Sequence, residues 1–111
     1  MIELRRGDVV FYGERGEFIG KLRPGIVVQR QSTLADAPSV TIVGLTTVTM
    51  PTNGARVAIT PSPQNGLDAT SYAMVDKIAS ISRSRVRQIF GNLNRDELTM
   101  IDRALRVWLE L

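Results

Sequence analysis

Ser39-Val40-Thr41-Ile42-Val43-Gly44-Leu45-Thr46-Thr47-Val48 is a run of β-branched and apolar residues with almost no helix-favouring member, and it reads as a β-strand. Upstream, Gly25-Ile26-Val27-Val28-Gln29-Arg30 follows a proline and has the same character, and Val9-Val10-Phe11-Tyr12 lies between Gly7-Asp8 and Gly13. Downstream, Arg56-Val57-Ala58-Ile59 alternates like a half-buried strand. Ser71-Tyr72-Ala73-Met74-Val75 starts another that continues towards Ile81. Turn signals at Pro51-Thr52-Asn53-Gly54 and Pro61-Ser62-Pro63-Gln64-Asn65-Gly66 separate them. The stretch from Gly13 to Leu22 carries three glycines and mixed charge and reads as a surface loop, and Gln31 to Pro38 reads as a second one. Ser82 to Leu93, with Arg83, Arg85 and Arg87 spaced by two, reads either as a strand with one basic face or as a short helix leading into one.

The last 18 residues carry the clearest helix signal. Asn94 suits the N-cap, Glu97 the capping-box position, and Asp96 the positive end of the dipole. Leu98, Ile101, Leu105 and Trp108 recur at three- and four-residue spacing, which makes Trp108 an expected core anchor. Five to seven short strands followed by one helix predict a mainly β domain. The expected architecture is a small, strongly bent antiparallel barrel of SH3-like type, formed by residues 1–111 as one unit.

Composition narrows the chemistry. The chain of 111 residues is 43% hydrophobic and contains neither cysteine nor histidine. Disulfides, thiolate metal sites, zinc chemistry and histidine-based nucleophilic triads are therefore not expected. No apolar run reaches the length of a membrane span, and the first residues lack that of a signal peptide, so a cytoplasmic protein with no membrane association is expected. The net charge is +3 and, of 14 basic residues, only Lys21 and Lys77 are lysine. Arginine favours bidentate contact with phosphate or carboxylate, so the surface suits either plain solubility or a polyanion partner. The charge is spread along the chain, which argues against a basic tail.

One constellation stands out. Lys21-Leu22-Arg23-Pro24 opens one strand and Thr46-Thr47 closes another. Proline stiffens the backbone after Arg23, and a threonine hydroxyl beside that guanidinium can donate to a phosphate oxygen while arginine neutralises its charge. Taken singly, Arg23 reads rather as a surface ion-pair member, and the threonines still more as ordinary strand residues.

Several blocks resemble the MazF/PemK/Kid family of toxins in order and spacing. They are Arg6-Gly7-Asp8-Val9, Ile19-Gly20-Lys21-Leu22-Arg23-Pro24-Gly25-Ile26-Val27-Val28, Val43-Gly44-Leu45-Thr46-Thr47, Gly66-Leu67, Ser71 to Ile78, and Arg85 to Leu93 with the helix that follows. The resemblance implies the MazF/CcdB-like toxin fold and a homodimer. It also implies a cofactor-free, metal-independent endoribonuclease that cuts single-stranded RNA, mRNA in the cell, to 2′,3′-cyclic phosphate and 5′-hydroxyl ends. The implied partner is a MazE-like antitoxin with an acidic disordered tail.

The implied catalytic pair is Arg23 and Thr46, with Thr47 the alternative if the strands align one residue differently. Glu17, Lys21, Thr47 and Asp76 are the implied RNA contacts, and Asp76 or Glu17 is the ordinary candidate for a base. The sequence departs from the family at Phe18, where an acidic residue is usual although Glu17 is adjacent, and at Met74, where some members have arginine. Two other readings share the fold. One is a gyrase poison of CcdB type, which the nearly C-terminal Trp108 invites; the other is a non-catalytic SH3-like binding module, against which the 5% aromatic content argues.

Overall fold

In each apolar run, successive side chains point to opposite sides of the sheet, and both sides are covered. Val9, Ile26, Val28, Val43 and Leu45 enter one core together with Ile101 and Leu105 from the C-terminal helix. Val10, Val27, Val40 and Ile42 enter a second with Leu4, Leu34, Ile81 and Val86. A strand buried on both faces needs the near-continuous apolar stretches seen in the sequence.

The computed structural model describes residues 2–13, 21–51 and 54–111. Its strands are β1 (Asp8–Gly13), β2 (Leu22–Val27), β3 (Ser39–Thr46), β4 (Arg56–Ile59), β5 (Ser71–Ser82) and β6 (Val86–Asn92), followed by helix α1 (Arg95–Leu109). They form one antiparallel sheet in the order β4-β5-β3-β2-β1-β6. The mainly β architecture with a C-terminal helix is the expected one. The segment with alternating arginines resolves into a 3-10 turn, Arg83–Arg85, that leads into β6. Most of the expected loop between Gly13 and Leu22 lies outside the described residues.

The sheet bends like a barrel but does not close, because β4 and β6 stand at its two ends without pairing. The turn after β4 bridges that gap. Asn92 N donates to Gln64 O at 3.0 Å, and β-carbons placed on Gly66 and Gly91 would lie 2.4 Å from Phe90 O and 2.3 Å from Asn65 O. Only glycine permits so close an approach, and Gly66 also has φ +70°.

At the centre of this seam Asn65 is completely buried. Its Oδ1 accepts from Ser62 N and Leu67 N at 3.0 and 3.1 Å, and its Nδ2 donates to Thr60 O and Glu97 Oε2 at 2.9 and 3.2 Å. Glu97 belongs to the expected capping box, its Oε1 accepting from Asn94 N at 2.9 Å while Asn94 Oδ1 accepts from Glu97 N at 2.8 Å.

Two arginines tie the amino-terminal segment down. Arg6 donates to Val28 O at 2.9 Å and reaches Asp102 of α1 at 2.7 Å. Arg83 donates to the carbonyls of Ile2, Leu34 and Ala37, joining three segments through one guanidinium.

The expectation that Trp108 anchors the core is corrected. Ile101 and Leu105 are buried, whereas Trp108 is 50% exposed and Val107 77%. Helical periodicity identifies the correct face but not how far the sheet beneath it reaches, and the last turn of α1 contributes to neither core. Among the described residues no helix is long and apolar enough to cross a membrane.

Replacing Asn65 with alanine strands two backbone donors and one carbonyl in a buried seam. The expected loss of stability is about 2 to 4 kcal/mol, comparable with Ile101→Ala and read from urea unfolding followed by circular dichroism. A midpoint unchanged from the parent would show that water replaces the side chain at no cost.

Candidate active site

The register of β2 on β3 pairs Gly25 with Gly44, Ile26 with Val43 and Val27 with Ile42. Continued past the last pair, it sets Arg23 opposite Thr46 on the same face, at the ends where both strands run out. Arg23 is also the partner of Tyr12 on β1, and Thr46 the partner of Tyr72 on β5. Neighbouring strands thus deliver these side chains to one row across the sheet.

The row borders a hollow of about 270 Å³ lined by Lys21, Arg23, Thr46 and Thr47 together with Tyr12 and Met74. Its floor depends on glycine. The Tyr12 ring lies over Gly25, with Cε1 3.0 Å from where a β-carbon would stand, and its hydroxyl is 3.6 Å from the corresponding point on Gly44. Met74 Cε comes within 2.9 Å of that second point. Side chains at either position would push the tyrosine and methionine into the hollow.

Thr46 Oγ1 accepts a hydrogen bond from Val48 N at 3.1 Å. That contact turns the chain out of the strand and fixes the oxygen, while leaving the hydroxyl proton to donate. Lys21, Arg23 and Thr47 are solvent-exposed and Thr46 is half-buried, so a polyanion can reach all four. The described lining residues include two cations and two hydroxyls from threonine but no carboxylate.

Asp76 is not brought to this hollow. Val43 pairs with Ile78 while its neighbour Gly44 pairs with Met74, so the residues between them on β5 bulge, and Asp76 lies in that bulge. There it faces Arg56 of β4, which donates through Nε to Oδ1 at 2.9 Å and through Nη2 to Oδ2 at 3.2 Å. Glu17 lies outside the described residues. The sequence reading missed Tyr12 and Ser71 as lining residues. The position of Tyr12 at the exposed end of an apolar strand, beside the end of β2, was the available signal for it.

The chain matches the family model of PemK-like, MazF-like toxins of type II toxin–antitoxin systems over residues 5–109. It belongs to that family. A relative in Mycolicibacterium smegmatis, named a probable endoribonuclease MazF, is 37% identical over 106 residues, which are 96% of each protein. Among solved structures, a mycobacterial endoribonuclease in complex with its cognate antitoxin superposes with a TM-score of 0.80 at 25% identity, covering 100% of this chain and 97% of that one. MazF of Deinococcus radiodurans superposes with a TM-score of 0.78 over the full length of both chains. At 17% identity that likeness speaks for the fold alone.

Two carboxylates respond oppositely to acid. The hydrogen bonds from Arg56 hold Asp76 below its ordinary value of 3.8, outweighing desolvation. Burial pushes Asp8 above 3.8, outweighing its hydrogen bond from Arg5 N. A lowered folded-state value means that ionised Asp76 stabilises the fold above the ordinary value, and this contribution is lost as pH falls through the lowered one. The raised value of Asp8 has the reverse sign: its contribution is full below the ordinary value and lost as pH rises through the raised one. Comparing the parent with Asp76→Asn isolates the first effect. The parent should be the more stable near neutrality, and the gap should narrow below about pH 4 in denaturant midpoints. A gap that stays constant down to acid unfolding would refute the role given to the Arg56–Asp76 pair.

Proposed function

We propose that this chain is the toxin of a type II toxin–antitoxin system and acts as a sequence-specific, metal-independent endoribonuclease on single-stranded RNA, chiefly mRNA. The observation that carries the reading is the convergence of Arg23 and Thr46 on one open hollow flanked by Lys21 and Thr47. A relative at 37% identity that is named a probable endoribonuclease supports it.

Cleavage needs no nucleophile from the protein. The ribose 2′-oxygen attacks the adjacent phosphorus, the bond to the 5′-oxygen breaks, and the products are a 2′,3′-cyclic phosphate and a 5′-hydroxyl. The 2′-hydroxyl gives up a proton and the departing 5′-oxygen gains one. Arg23 is assigned to bind the scissile phosphate through its planar fork, Thr46 to donate to a phosphate oxygen as charge builds there, and Lys21 and Thr47 to hold neighbouring phosphates. Positioning and charge stabilisation supply most of the acceleration in such a site. Of the two carboxylates that the sequence offers as the base, Asp76 has both oxygens engaged by Arg56. Glu17 keeps that role on the sequence argument alone.

The reading includes a homodimer, an acidic MazE-like antitoxin as inhibitor and a cytoplasmic location. Apolar side chains exposed at the end of α1, Val107, Trp108 and Leu111, are what a second copy would cover. The net charge of +3 suits an acidic tail. The exposure of Trp108 also favours a second reading, a gyrase poison on the same fold, because a tryptophan outside the core is available to a target. Arg23 and Thr46 have no part in that reading.

Purified protein should cut single-stranded RNA in excess EDTA and leave cyclic phosphate ends, since the chain has no histidine or cysteine to hold a transition metal. Activity that disappears with chelator and returns with magnesium contradicts the mechanism. Trapping of gyrase on DNA without RNA cleavage establishes the alternative.

Arg23→Lys keeps the charge but loses the fork, so cleavage should fall far more than RNA binding. Thr46→Ala should lower the rate by about 10²-fold, as loss of a transition-state donor does. Both exposed or half-buried positions tolerate these changes without unfolding. Parental rates in both variants would move the active site elsewhere.

A further inference from the structure

The cleavage hollow has a neighbour. A second hollow of about 360 Å³ shares Pro24, Thr47 and Ser71 with it, so a strand held at Arg23 and Thr46 leads directly into the second space. This size lies at the small end of ligand sites, about 300 Å³ and upwards. Its wall is apolar. Phe11 and Phe90 stack with ring centroids 4.2 Å apart, and Leu67 adjoins them. At its mouth stands Asp68, exposed and without a hydrogen bond or ion pair among the described residues. Its ionised carboxylate can only accept hydrogen bonds.

The support beneath Asp68 is rigid. Leu67 N is held by the buried Asn65 at 3.1 Å, and Gly66 is pressed against Phe90. An aromatic wall with one fixed acceptor beside a phosphate-binding site has the chemistry of a base pocket, because unpaired RNA bases are read by packing on aromatic side chains and by hydrogen bonds to their edges.

Resting on the ribonuclease reading, we propose that this hollow receives the nucleobase flanking the cut and that Asp68 selects a base bearing an exocyclic amino group. Adenine, cytosine and guanine each offer amino N–H donors to the carboxylate. Uracil has no amino group, and the two carbonyls flanking its single imino N–H would face the negative charge. Asparagine at the same place donates as well as accepts, which removes both the repulsion and the selection.

The test digests an RNA pool containing a randomised stretch with the full-length protein and with Asp68→Asn, sequencing the ends produced. Asp68 is exposed, so the variant retains the fold, and the readout is a ratio between bases that does not depend on overall rate. The parent should disfavour uracil by about tenfold or more at one fixed position beside the cut, the range set by a single good base contact. Asp68→Asn should bring uracil to within about threefold of the other bases there. Cuts by the parent that accept uracil freely at every flanking position, or a variant that still rejects it, overturn the proposal while leaving the ribonuclease intact. A parent that cuts no RNA at all overturns the ribonuclease reading and this inference with it.

Discussion

The carboxylate of Glu97 carries two obligations at once. One oxygen closes the capping box on Asn94 and the other receives the buried amide of Asn65. Through it the start of α1, the turn after β4 and the edge strand β6 become one assembly. An open six-stranded sheet would otherwise present two unpaired edges, which proteins cover or blunt. Here the turn at residues 62–66 lies along β6, and its buried asparagine side chain is satisfied by four protein groups. Buried polar groups become costly when any one partner is missing, so this cluster holds as a unit.

That seam also orders the working face. β1, β2 and β3 end near one another, and Arg23, Thr46 and Thr47 at those ends line a hollow instead of entering either core. The rigid pairing of Gly25 with Gly44 beneath them leaves a floor across which Tyr12 and Met74 lie. The same turn that seals the sheet presents Leu67 and Asp68 beside the hollow that Arg23 and Thr46 line. The buried seam and the wall of a surface hollow are thus built by consecutive residues.

Much of this was legible in the sequence. Strand positions followed from apolar and β-branched runs, the helix from Asn94, Glu97 and its stripe, and the meeting of Arg23 with Thr46 from a family resemblance that the register of β2 on β3 supports. What escaped was set by long-range geometry. The bulge in β5 turns Asp76 towards Arg56, and no local pattern announces a bulge. The role of Asn65 was hidden because a Pro-Ser-Pro-Gln-Asn-Gly stretch reads as an exposed turn, and nothing nearby in sequence indicates a partner in Glu97, 32 residues on. Trp108 kept the period of the core stripe but fell beyond the end of the covering sheet.

Among the arginines, Arg83 differs from Arg6 and Arg56 in what it holds. They grip carboxylates, whereas Arg83 grips the carbonyl oxygens of Ile2, Leu34 and Ala37. A carbonyl does not titrate in the range where proteins live, and a guanidinium keeps its charge throughout it. The fastening of the chain's beginning to the 3-10 turn before β6 is therefore indifferent to acid, whereas protonation of Asp76, as pH falls through its lowered value, removes the charge from the grip of Arg56. Acid thus loosens the join of β4 to β5 while leaving the hold of Arg83 on the amino-terminal segment in place.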